Sequence, residues 1–146
     1  MDDLDKRILE ELQLNSRNSF TKIAQKIGVS TATVSDRVRK LTEKGIICGY
    51  TAILNTAEIG MVTLISRVTI KQGYSIEEVG KAMAEMEASC GIHHLTGDFD
   101  LLVISKCTGH GKCGSIIEKL KEIRGVESVA SELVLKTLKE ELKVKL

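Results

Sequence analysis

Residues 28–41 read GVSTATVSDRVRKL. Val34, Val38 and Leu41 recur at the i, i+4, i+7 spacing of a helix that buries one face. Thr31, Thr33 and Ser35 stand off that face and are mediocre helix formers; Arg37, Arg39 and Lys40 follow them. Gly28 breaks the preceding helix, and Ser30 is placed to cap this one. Short hydroxyls on the first turns permit close approach to bases and phosphates, and a helix N-terminus itself attracts phosphate. The spacing predicts that Thr33, Arg37 and Lys40 lie opposite the apolar stripe.

Upstream, Leu4, Ile8, Leu9 and Leu12 outline a first amphipathic helix with Asp2 or Asp3 at its N-cap. Ser19 can cap a second, in which Phe20, Ile23, Ala24 and Ile27 face inward, and Val29 can plug the core after Gly28. Gly45 suits the position just past the third helix. "IICGYTAIL", residues 46–54, is rich in β-branched and aromatic residues and reads as a strand or short hairpin. Two short helices across a tight turn form a helix-turn-helix when the second can enter the major groove. Ser30, Thr31, Thr33, Ser35, Arg37, Arg39 and Lys40 are then the candidate contacts with double-stranded DNA. Arg37 is the candidate reader of guanine, and Arg39 and Lys40 are candidate phosphate contacts.

The charge distribution agrees. Residues 17–45 hold seven cations against two anions, a local balance of +5, although the whole chain of 146 residues carries only +1. Residues 61–146 carry twelve of each sign. Downstream of a connector, the pattern changes to strand, helix, two strands, helix, strand. "TLISRVTI" opens it. Ser75-x-x-Glu78 caps a helix with Ile76, Val79, Met83 and Met86 inside. "GIHHLTGDFDLLVISK" folds back at Gly97-Asp98, and a second helix buries Ile116, Ile117, Leu120 and Ile123. "VESVASELVLKTL", residues 126–138, closes the unit. This is the split βαβ order. "DLLVISK" is apolar on both faces, while two helices can cover only one side of a four-stranded sheet. The other side is expected to meet a second copy across a two-fold axis.

The stretches "LDKRIL", "FTKIAQKIGVS", "TVSDRVRKLTEKGII" and "GYTAIL", with "TGDFDLL" further on, resemble the Lrp/AsnC (feast/famine) transcriptional regulators over nearly the whole chain. The resemblance implies an α+β architecture: a winged helix-turn-helix over residues 1–54, a linker over 55–62, and a ferredoxin-like βαββαβ ligand-binding and oligomerisation domain over 63–146. It implies a homodimer assembling to a tetramer or octamer, and an amino-acid effector at the interface between dimers. Gly97, Asp98, Asp100 and Ser131 are the effector candidates on that basis. Taken alone, Gly-Asp between strands is a common hairpin turn. One departure is the lack of a proline before Gly125-Val126.

Other readings compete for a few residues. Cys107, His110 and Cys113, in "CTGHGKC", are zinc-ligand types, but the segment supplies three ligands without paired Cys-x-x-Cys spacing. Neither a metal nor another cofactor is expected. With an acidic N-terminus, no signal peptide and no long apolar run, the chain is expected in the cytoplasm, its four cysteines as free thiols. Cys48 and Cys90 read as packing residues. Sirohaem decarboxylases share the two-domain architecture, and His93 and His94 could serve such chemistry. The hydroxyl-and-cation helix has no use in such an enzyme, however. No nucleophile–base constellation appears, so the expectation is not an enzyme.

Overall fold

Asp2 opens the first helix with a reciprocal capping box: its carboxylate accepts from the Asp5 N–H, and Asp5 returns the bond to the Asp2 N–H. Helix α1 (Asp3–Leu14) is followed by α2 (Phe20–Ile27), capped by Ser19, and α3 (Thr31–Glu43), capped by Ser30. Between α2 and α3 the chain turns at Gly28, whose φ of 75° lies in the left-handed region that glycine occupies without steric cost. Ile8, Leu9 and Leu12 meet Ile23, Ala24, Ile27, Val34, Val38 and Leu41 in one aliphatic core, with Phe20 and Val29 packed at its margin. The predicted faces of all three helices are therefore the buried ones.

The computed structural model describes residues 1–146. Its second core belongs to a four-stranded antiparallel sheet of order β2-β3-β1-β4. The elements run β1 (Met61–Ile70), α4 (Ile76–Ala84), β2 (Ser89–His94), β3 (Leu101–Thr108), α5 (Gly109–Glu122) and β4 (Val126–Leu133). Leu64, Val68, Leu101 and Val103 pack with Val79 and Met83 of α4 and Ile116 and Leu120 of α5. Ile65, Arg67, Leu102 and Ile104 alternate with them on the face that the two helices leave uncovered, and are only half-buried. No helix is long and apolar enough to cross a membrane.

Several expectations need correction. "IICGYTAIL" forms no strand; only Ile47 within it is buried, and Tyr50, Ile53 and Leu54 are exposed. Strand propensity needs a ladder partner, and this stretch finds none within the chain. Strand β4 stops at Leu133 rather than Leu138, at the residue where its pairing to β1 ends opposite Leu64. The chain divides into Met1–Ile53 with Lys139–Leu146, and Leu54–Leu138. The last eight residues thus pack with the helical unit.

The cysteines differ as well. Cys107 and Cys113 are joined in a disulfide, with Cα atoms 5.5 Å apart. No loop separates the two elements there: α5 begins at Gly109, directly after β3. Cys113 therefore falls one helical turn in, facing the same core as Cys107. Cys48 and Cys90 are free but exposed, so they do not pack in either core.

Candidate nucleic-acid interface and effector site

The N-terminal half of α3 is an open, hydroxyl-lined surface. The Ser30 Oγ accepts the Thr33 N–H at 3.0 Å and lies 2.8 Å from the Thr33 Oγ1. Thr31 and Ser35 are exposed beside them. Behind these hydroxyls, Arg39 bridges Asp36 and Glu43 at 2.6 and 2.7 Å, and Lys40 reaches Asp36 at 2.7 Å. Lys40 first and Arg39 second hold the Asp36 carboxyl below its ordinary range. All these pairs are exposed, so they contribute little to stability and yield readily to a phosphate.

Arg37 is not where the spacing placed it. At roughly 100° per residue it lies about 60° around the helix from Val34 and about 100° from Val38, on the flank of the buried stripe. Its guanidinium donates to Asp2 at 2.6 Å and Asp5 at 3.2 Å, at the N-terminus of α1. Asp5 is itself a buried polar residue. Arg37 therefore ties α3 to the capping box of α1 and does not stand on the open face with Thr33 and Lys40. The cation count changes meaning for the same reason. Lys26 is paired with Glu11, and the Arg7 guanidinium donates to the Ile27 carbonyl at the end of α2. Over residues 1–47 nine cations face seven anions. The window of +5 left out the carboxylates of α1 that fold back onto it.

The clamp carries a pH signature. The Asp5 backbone N–H first, and the Arg37 side chain second, hold the Asp2 carboxyl below its ordinary 3.8. A carboxyl lowered in the folded state stabilises it above the unfolded value and loses that contribution as pH falls through the folded one. The clamp's contribution to the melting temperature should therefore be constant with pH above about 3.8 and be lost as the pH falls below it. Arg37→Ala should make that loss shallower. Thermal melts by circular dichroism across acid pH test this; equal slopes for the variant and the parent chain would rule out the clamp.

The four effector candidates do not form one pocket. Gly97, at φ 113°, and the exposed Asp98 form the tip of the turn between β2 and β3. The Asp100 carboxylate accepts the Ile70 N–H at 2.7 Å, and the Asp100 N–H donates to the Val68 carbonyl at 3.0 Å. Asp100 thus fastens the turn to the end of β1, where the pairing with β4 shifts register. Ser131 is paired with Ser66, four residues earlier on β1, roughly 13 Å from that end at the usual strand rise. Its hydroxyl lies 2.8 Å from that of the buried Ser66, on the helix-covered face. Phe99 is the residue of this turn that the sequence reading missed: its ring lies under Arg67, 4.8 Å from the guanidinium carbon, and Arg67 also pairs with Glu132. Alternation in "DFD" marked Phe99 only as apolar. Its partner lies over thirty positions upstream on a neighbouring strand.

Both halves match known domains. Residues 1–47 match the winged helix-turn-helix DNA-binding model, and residues 63–144 match the Lrp/AsnC ligand binding domain. The chain is 32% identical to an HTH-type transcriptional regulator of Pyrococcus abyssi over 99% of its own length and 98% of that protein's. It is 33% identical to the HTH-type transcriptional regulator Ptr1 of Methanocaldococcus jannaschii, covering 96% and 95%. Among solved structures, Escherichia coli AsnC superposes with a TM-score of 0.81 at 25% identity, covering 97% of this chain and 96% of that one. A Neisseria meningitidis transcriptional regulator in complex with L-Met superposes with a TM-score of 0.88 at 24% identity, covering 99% and 96%. The chain belongs to the Lrp/AsnC family of helix-turn-helix transcriptional regulators.

Proposed function

We propose that the protein regulates transcription by placing the N-terminal half of α3 in the major groove of its operator, and that an amino acid bound in its sheet domain modulates this. The observation that carries the reading is the exposed hydroxyl turn on a rigid three-helix core. Ser30, Thr31, Thr33 and Ser35 contact the duplex, Arg39 and Lys40 exchange Asp36 for phosphates, and Arg37 positions the helix from behind. The reading is of a cytoplasmic protein without catalytic activity of its own.

One helix-turn-helix covers one half-site, and operators usually carry two about 34 Å apart. The uncovered sheet face, with Ile65, Leu102 and Ile104 at its centre, supplies a surface for a two-fold dimer. Tetramers or octamers would assemble from that dimer. The exposed tip at Gly97 and Asp98 supports an effector site completed by another subunit; Asp100 fixes that turn from within, while Ser131 stands apart on β4 beside Ser66. The Neisseria relative, bound to L-Met, favours an amino acid as the ligand class.

The test is a mobility shift on DNA flanking the protein's own gene, repeated across salt and across the twenty amino acids. Specific retention that weakens with salt and changes with one amino acid is expected. Retention equal to that of unrelated DNA at every salt concentration would refute sequence-specific binding.

A further inference from the structure

The end of the chain is part of the DNA-binding unit. Lys139–Leu146 belongs with Met1–Ile53, so the chain passes between its two units twice, once on each side of the sheet domain. The contact is specific. The Gln13 side-chain amide of α1 donates to the Val144 carbonyl at 3.0 Å and accepts the Val144 N–H at 2.7 Å. A single side-chain amide thus does for Val144 what a neighbouring strand does for a paired residue. Leu142, Val144 and Leu146 form one wall of a groove of about 400 Å³, and Leu9, Leu12, Ile47, Tyr50 and Ile53 line it opposite them. Leu146 packs against the three-helix core there. Leu142 and Val144 stay largely exposed, at 73% and 63%. Two hydrogen bonds and one half-buried leucine make a contact that forms specifically and releases readily.

We propose that the chain's own Lys139–Leu146 docks on the face shared by α1 and residues 46–53, and that the docked segment braces α1 and the stretch following α3 for DNA binding. The groove joins the two elements that fix α3. Helix α1 holds Arg37 through Asp2 and Asp5, and Ile47 closes the C-terminal end of α3 through its N–H to the Leu41 carbonyl at 3.2 Å. A segment that bridges α1 and residues 46–53 therefore restrains α3 at both ends without touching the duplex. The same segment continues from β4 through residues 134–138. The Val134 N–H donates to the Thr63 carbonyl at 2.9 Å, and beyond it Leu135 and Leu138 are 99% and 88% exposed. The end of the sheet thus has its own route to the DNA-binding unit. The bracing role rests on the DNA-binding reading above; the docking does not.

The full-length chain tests both parts. In hydrogen exchange, the Val144 amide should exchange at least tenfold more slowly than the neighbouring Lys143 and Lys145 amides, for which no partner holds the backbone. Gln13→Ala, which favours the helix, should abolish that difference, and Leu146→Asp should reduce it. Equal exchange in the parent chain and Gln13→Ala would overturn the docking. Protection that disappears on dilution would assign the groove to the tail of a second copy and overturn the choice of occupant. On DNA flanking its own gene, Gln13→Ala should weaken binding several-fold with an unchanged salt slope, because no phosphate contact is lost. Unchanged affinity in that variant, with its Val144 protection gone, would overturn the bracing role while leaving the docking intact. No specific retention by the parent chain itself would refute the DNA-binding reading, and the bracing role with it.

Discussion

Gly125→Ala is expected to destabilise the sheet domain by about 3 kcal/mol, a large part of the stability of a domain this size. Two costs coincide at this position. Gly125 has φ 96°, a conformation that residues with a Cβ rarely adopt. A Cβ would also lie 2.7 Å from Tyr74 Cδ1 and 2.9 Å from Val79 Cγ2. Tyr74 could swing outward, since it is partly exposed, but Val79 is 4% exposed and fixed in the core. The Gly125 carbonyl accepts the Lys71 N–H at 2.8 Å, so the backbone cannot move aside without breaking the bond that ties the α5–β4 turn to the end of β1. Arg124 fills the place where the family resemblance led one to expect proline. Its guanidinium carbon is 5.8 Å from the centre of the Tyr74 ring, and it holds the phenol below its ordinary range. Gly114→Ala is the matched control: a Cβ there meets nothing within 4 Å in the middle of α5, so the substitution should stabilise by about 0.5–1 kcal/mol. Urea melts of the two variants should therefore shift in opposite directions. A Gly125→Ala midpoint indistinguishable from that of the parent chain would refute the close packing of Tyr74 and Val79 on this turn.

What could be read in the sequence was whatever a residue settles with near neighbours. The caps at Ser19, Ser30 and Ser75, the break at Gly28 and the inward faces of all five helices follow from spacings of three and four. At Ser75 only half of the expected box is present: its hydroxyl accepts the Glu78 N–H, and no reciprocal bond from the Glu78 carboxylate accompanies it. What could not be read depended on partners far along the chain. Arg37 lies on its helix where periodicity allows either an open or a flanking position, and carboxylates more than thirty residues upstream decide between them. Asp100 had the chemistry of a ligand contact, but the unpaired Ile70 N–H claims it. "IICGYTAIL" and "LVLKTL" have strand composition, and composition does not supply a neighbouring strand. The Cys107–Cys113 pairing was hidden because it needs a helix that starts at Gly109 and runs through Gly111 and Gly114, residues of poor helix propensity.

Ser35→Glu gives the sharpest separation of DNA binding from folding. Ser35 is exposed on α3, two residues past Thr33 and one turn past Thr31. Glutamate is a better helix former than serine, so the three-helix core should melt no lower than in the parent chain. Against a duplex, however, the new carboxylate faces phosphates where a short hydroxyl stood. Like charges brought together at an interface cost several kcal/mol. At 1.4 kcal/mol per tenfold, affinity for operator DNA should drop by on the order of a hundredfold for each engaged half-site. Ser35→Ala should cost far less, because it removes one hydrogen bond and leaves the approach open. Arg37→Ala should differ from both, losing thermal stability in proportion to affinity, because its partners Asp2 and Asp5 belong to the protein. Mobility shifts and melts on the three variants therefore distinguish a contact surface from its support. If Ser35→Glu retained DNA as well as the parent chain, the N-terminal half of α3 would not be the face that meets the duplex.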